Sequence, residues 1–345
     1  MTIETLNERE RRVLEAIVQS YVETAEPVGS RTIARRFGLG VSAATIRNAM
    51  SDLEEKGYLF HPHTSAGRVP TDRAYRLYVD SLMGAPRLTH AEQVAIRDRL
   101  PADGSTVTEV LRRAAEVLGV LTQELGVAVA PSLEQTALER IDLVAVGSER
   151  LLLVLTLKSG IVRTIFVPVA GSLSADAVAN VTVVLNERLA GLTLRDVRLT
   201  LGERLRDTAA GPAESELLDI FLATGEQIFD VGAADETVVL GHTSVLAEQP
   251  EFASGDRMRR LIELTEQRDV LQRVLGRRAD AGSLTVTIGG ENESRQLSQL
   301  TLVTAPYRVG PLNGVIGVLG PTRMPYDKIV ALVEHTSKLV SELMR

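Results

Sequence analysis

The chain has 345 residues, 44% of them hydrophobic and 24% charged, with a formal net charge of −7. That length suggests two or three domains at roughly 150 residues each, and the composition excludes a wholly disordered chain. No apolar run nears the roughly 20 residues of a membrane span, Met1-Thr2-Ile3-Glu4 has no signal-peptide pattern, and zero cysteine excludes disulfides, thiolate zinc and cysteine nucleophiles, so a cytoplasmic protein is expected.

Asn7, with Glu10 three residues on, predicts a capped helix whose inner face is Leu6, Val13, Leu14, Ile17, Val18 and Tyr21, ending before Pro27. Ser30 is expected to cap a short helix reaching Phe37, and Gly38-Leu39-Gly40-Val41 a turn. Ser42 caps a third helix with Ile46, Ala49, Met50 and Leu53 inward, completing a helix-turn-helix pattern. Gly57–His61 and Arg68-Val69 read as a hairpin around His63–Gly67, which makes the module a winged helix. Thr71 or Asp72 then caps a helix carrying Tyr75, Leu77, Tyr78 and Leu82, and Gly84-Ala85-Pro86 closes the domain.

Thr89 and Ser105 are expected to cap the next two helices. Leu138–Val146, Leu151–Leu157 and Val162–Val167 read as an antiparallel meander, followed by helices over Ser174–Leu189 and Glu214–Phe229. Thr237–Gly241 predicts a strand and Asp256–Leu275 one long helix. Leu284–Ile288, Gln299–Thr304 and Asn313–Leu319 predict strands, and Tyr326–Met344 a closing helix. Strands and helices arrive in blocks, which points to an α+β body with an antiparallel sheet.

Charge is uneven along the chain. From Pro27 to Arg76 eight basic residues face four acidic ones, 8 − 4 = +4, while the first 26 residues carry three Arg against six Glu. On the third helix, 100° per residue turns Ala44, Arg47, Asn48 and Ser51 outward. With Ser42, Ala43 and Thr45 they form a small, hydrogen-bonding N-terminal half suited to the major groove, where Arg can grip guanine and Asn adenine. Ser30 and Arg31 on the second helix are candidate DNA contacts; on the wing, His61, His63, Thr64 and Ser65 are candidate phosphate donors, and Arg68 is a candidate for a phosphate or for the minor groove. The alternatives are a polar face that meets only water, or a module for protein contacts. His61-x-His63 has no third metal ligand nearby, and His90, His242 and His335 are scattered. No nucleotide-binding, zinc-protease or serine-hydrolase motif is present, so neither a cofactor nor an enzyme is expected. Gly320–Tyr326 joins a strand to a helix, a place for an anion or, more simply, a rigid turn.

These residues resemble the heat-inducible transcription repressor family HrcA. The resemblance rests on Glu26-Pro27-Val28-Gly29-Ser30, Ser42–Met50, Leu53–Leu59, His61–Asp72 and Tyr75–Asp80, with a second signature at Ile288–Asn292 and Gly317–Met324. Ala49 and Gly290 depart from the pattern, where the family more usually has Glu and a bulkier polar residue. The resemblance implies a homodimeric repressor of chaperone operons that binds an inverted-repeat operator, the CIRCE element, in double-stranded DNA, under control of the chaperonin GroEL. It further implies a winged-helix domain over 1–85, a linking helix over 86–104, a GAF-like α+β domain over 105–172 and 236–345, and an inserted dimerisation domain over 173–235. Val178, Val181, Leu185 and Phe221 are candidates for its dimer or core packing. A body gated by a small effector, and an enzyme, are the readings from other classes.

Overall fold

The computed structural model describes residues 6–63, 67–84, 87–101, 106–147, 149–169, 174–206, 211–229 and 238–344. They form two compact units, one of the residues up to Ala130 with Val238–Tyr307 and Val315–Leu343, the other chiefly Pro131–Thr237 with Arg308–Gly314.

The first unit opens with α1 (Glu8–Thr24), α2 (Ser30–Arg36) and α3 (Ala43–Glu55). Asn7 and Glu10 cap α1 reciprocally, each backbone N–H donating to the other's side chain at 2.9 Å. On α2 the expectation fails by one residue. Val28 exchanges backbone hydrogen bonds with Arg68 (2.8 and 2.9 Å), so the extended chain ends at Gly29, which becomes the N-cap, and Ser30 is a buried helical residue. Gly38 and Gly40, at φ +54° and +72°, shape the turn to α3. Ser42 Oγ accepts from Thr45 N–H at 3.2 Å to start that helix. β1 (Leu59–Phe60) and β2 (Val69–Pro70) pair antiparallel. Thr71 then caps α4 (Asp72–Leu77), which continues as a π-helical turn, Tyr78–Leu82. α5 (His90–Arg97), α6 (Val107–Thr122) and β3 (Leu125–Val129) follow.

The second unit starts with the antiparallel meander β4 (Leu138–Ala145), β5 (Arg150–Leu157) and β6 (Val162–Pro168). α7 (Ala175–Leu189), α8 (Leu194–Leu205) and α9 (Pro212–Phe229) complete it. Leu151, Leu153, Leu155 and Leu157 share one buried core with Val178, Val181, Leu185 and Phe221. The meander, expected in the same domain as 236–345, therefore groups with the helices, and the independent unit starts near Pro131 rather than at 173. The physical reason is the alternating apolar face of β5, which shares its core with those helices.

The chain returns to the first unit through β7 (Val238–Leu240), α10 (Ser244–Ala247), α11 (Gly255–Glu266) and α12 (Arg268–Gly276). The expected single helix is interrupted at Gln267, at φ −83° and ψ 65°. β8 (Thr285–Ile288), β9 (Leu300–Val309), β10 (Leu312–Pro321) and α13 (Tyr326–Leu343) close the fold. The sheet runs β7-β3-β10-β9-β8, with α6 packed on β3 and α13 on α6.

Candidate nucleic-acid interface

Amphipathic spacing decides which side of α3 is left outside. Ile46, Ala49, Met50 and Leu53 are buried, whereas Ala44, Arg47, Asn48 and Ser51 are exposed. Ser42 is exposed, and Ala43 and Thr45 are half-buried. The first turn holds no acidic residue, while Asp52, Glu54 and Glu55 lie at the far end. Open N–H groups and the helix dipole make that first turn favourable to an anion.

Pairing within the fold sorts the cations of this region. Of the eight between Pro27 and Arg76, five are engaged. Arg36 pairs with Glu23, and Lys56 Nζ meets both Glu10 oxygens at 2.8 and 2.9 Å. Arg68 Nη2 meets Glu54 Oε2 at 2.7 Å. Arg73 lies 4.5 Å over the Tyr58 ring and donates to the Lys56 carbonyl, and Arg76 pairs with Glu291. Arg31, Arg35 and Arg47 are exposed, all on α2 or α3, and have no carboxylate partner among the described residues.

The hairpin is built differently. Glu54, in the last turn of α3, holds Arg68 through one oxygen and His61 Nδ1 through the other, at 2.7 Å. Arg68, expected to lie along a phosphate or enter the minor groove, keeps only 14% of its side chain exposed. His63 is exposed, and Thr64 and Ser65 lie outside the described residues. A Cβ on Gly67 would sit 2.4 Å from the Val28 carbonyl, so glycine is required where the hairpin meets that strand-like segment. Beneath, burial alone would raise the Glu10 carboxyl, but the Lys56 ammonium and the Asn7 N–H outweigh it and hold the pKa below the usual value.

Three polar clasps tie these helices to the sheet of the same unit. Arg76 grips Glu291 with two bonds, 2.7 and 2.5 Å, and donates to the Val286 carbonyl. Gly290 N–H donates to Asp72 Oδ2 at 3.0 Å, so this departure from the family pattern makes its contact through backbone. Arg323, in the turn before α13, is bidentate to Glu251 at 2.5 and 2.9 Å and caps the Val22 carbonyl of α1. The Gly320–Tyr326 segment is thus a structural turn here.

The family model described as the HrcA protein C-terminal domain matches residues 108–330. Heat-inducible transcription repressors HrcA from Chlorobium phaeobacteroides strain BS1 and Geobacter sulfurreducens are each 39% identical, the first over 99% of both chains, the second over 98%. The chain belongs to the HrcA family. That is a family of heat-inducible transcription repressors, not of enzymes. A crystal structure of a hypothetical protein shares the fold, with TM-score 0.67, 23% identity and 99% coverage of both chains. No helix among the described residues is long and apolar enough to cross a membrane.

In this HrcA-family head, spacing along the chain reveals Glu10 as a cap partner of Asn7 but not as the partner of Lys56, nor Glu54 as the anchor of Arg68 and His61, nor Val28 as the partner of Arg68. Those partners lie farther off in sequence, and the local signal is the mixed charge of Leu53-Glu54-Glu55-Lys56.

Proposed function

We propose that the chain represses chaperone operons in the cytoplasm as a homodimer on an inverted-repeat DNA operator of the CIRCE type. In this reading residues 1–85 are a winged helix, α3 is the recognition helix, and β1–β2 is the wing. The observation that carries it is Arg47 beside Asn48, both exposed, with Arg47 uncompensated, on the acid-free half of a capped helix. Arginine reads guanine and asparagine reads adenine in the major groove, while Ser42, Thr45, Ser51 and Arg31 supply further hydrogen-bond donors.

The sheet of the first unit is the GAF-like body and the second unit the dimerisation domain. Val178, Val181, Leu185 and Phe221 are core residues there, so the pairing surface is sought elsewhere. Val144, Leu152 and Phe166 lie in one row across β4, β5 and β6, with Val144 49% and Phe166 62% exposed. An exposed apolar row of this kind marks an association surface. A two-fold dimer matches an inverted repeat, since protein symmetry is copied in the DNA. The dependence on GroEL rests on the family resemblance.

Footprinting upstream of chaperone operons, with and without chaperonin, tests the reading. Two protected half-sites, lost in Arg47→Ala and Asn48→Ala, are expected. Folded variants with unchanged operator affinity would overturn the site. Phe166→Asp should sediment as a monomer and weaken operator binding.

A further inference from the structure

We propose that a cavity beside α11 binds a small organic anion carrying an apolar tail. The cavity measures about 430 Å³, within the range of about 300–1,000 Å³ of small-molecule sites. Leu261, Leu264 and Leu300, all buried, give it an apolar wall, and Arg257, Arg260 and Arg295 line it with charge.

Those arginines are not locked into internal ion pairs. None pairs with a carboxylate among the described residues. Arg257 donates only to the Glu251 carbonyl (3.2 Å) and Arg260 to the Asp256 carbonyl (3.3 Å). Of the lining carboxylates, Glu251 is paired with Arg323, whereas Asp72, bonded to the neutral Gly290 N–H, keeps its charge. Asp72 and Glu263 thus stand against three guanidinium groups. In a chain of net charge −7, that surplus of positive charge around an apolar hollow creates a local positive potential. An inorganic ion would satisfy the arginines and leave the apolar part of the hollow unfilled, whereas an amphipathic anion uses both.

The backbone is shaped to the same hollow. The interruption between α11 and α12 falls at Gln267, with neither Pro nor Gly to cause it, and Gln267 lines the cavity. Its Oε1 accepts from Gln296 Nε2, another lining residue, at 2.5 Å. Asp72 and Glu251 also belong to the clasps that hold α4 and α1 on the sheet, so occupancy and clasping share residues.

Titration of the full chain tests this without DNA, so its outcome is separate from that of the operator reading. Octanoate and octyl phosphate, below their micelle concentrations, are compared with octanol and inorganic phosphate by thermal unfolding and calorimetry. The expected result is a saturable rise in Tm with both amphipathic anions, binding about tenfold or more tighter than phosphate or octanol. The Arg257→Gln/Arg295→Gln variant, altered at exposed positions, should melt like the parent without ligand and lose that binding about tenfold. The corresponding double Lys variant, which keeps the charge, should retain most of it. Absence of a saturable shift, equal binding of phosphate or octanol, or unchanged binding by the Gln variant would each overturn the proposal.

Discussion

On α3 the cation Arg47 stands exposed without a carboxylate partner, whereas on the hairpin Arg68 and His61 share Glu54. Both stretches contribute to a region of formal charge +4 (8 − 4), yet only one leaves its cation open to a ligand. A regional charge count therefore overstates what a polyanion can meet, because pairing inside the fold removes cations selectively. What Glu54 provides is geometry as well as charge: it fixes the hairpin to the end of α3.

The largest expected effect tests the frame on which both regions stand. Lys56→Met leaves Glu10 buried without its ammonium and should cost about 3 kcal/mol in chemical denaturation. The wild-type pair stabilises above the ordinary glutamate range, and that contribution is lost as pH falls through the lowered Glu10 pKa. In the variant burial dominates and raises that pKa, so its stability should instead fall as pH rises through the acid range. Equal pH profiles would show that Glu10 and Lys56 do not couple.

Next, Arg47→Ala should cost about 2 kcal/mol of operator affinity, concentrated at particular base pairs. Binding isotherms on point-substituted operators read this, and a loss spread evenly over all sequences would place Arg47 on phosphates instead. Glu54→Ala sharpens the contrast through its sign. Removing a negative charge should by Coulomb's law tighten DNA binding, but loss of the hairpin anchor should weaken it by about 1 kcal/mol on every sequence. The weaker outcome is expected, and tighter binding would reduce Glu54 to a mere charge. The smallest effect is that of Arg35→Ala, about 0.5 kcal/mol, sequence-independent, with the salt slope reduced by about one.

Local structure was widely legible. Asn7–Glu10, Ser42, Thr71, Thr89 and Ser174 all cap the helices that follow them, because a cap needs only residues two or three positions apart. For α6 the cap is Thr106, whose Oγ accepts from Glu109 N–H; the expected Ser105 lies outside the described residues. Among the elements that go beyond expectation are α8, β3 and the short α10. α8 carries Leu194, Val197, Leu201 and Leu205 at helical spacing, a readable signal. β3, Leu125–Val129, is buried along its whole length and so shows no alternation to distinguish it from buried helix.

The chain alone determined the first three helices, the caps of α1 and α3, the glycine turn before α3 and its outward side, since each depends on periodicity and neighbours a few residues away. Tertiary structure decided which cations remain open, where the second unit begins and how the helices are clasped to the sheet. Lys56 finds Glu10 across 46 positions, Arg76 finds Glu291 across 215, and Arg323 finds Val22 across 301. Such meetings follow from the folded path of the backbone, and no local pattern encodes them.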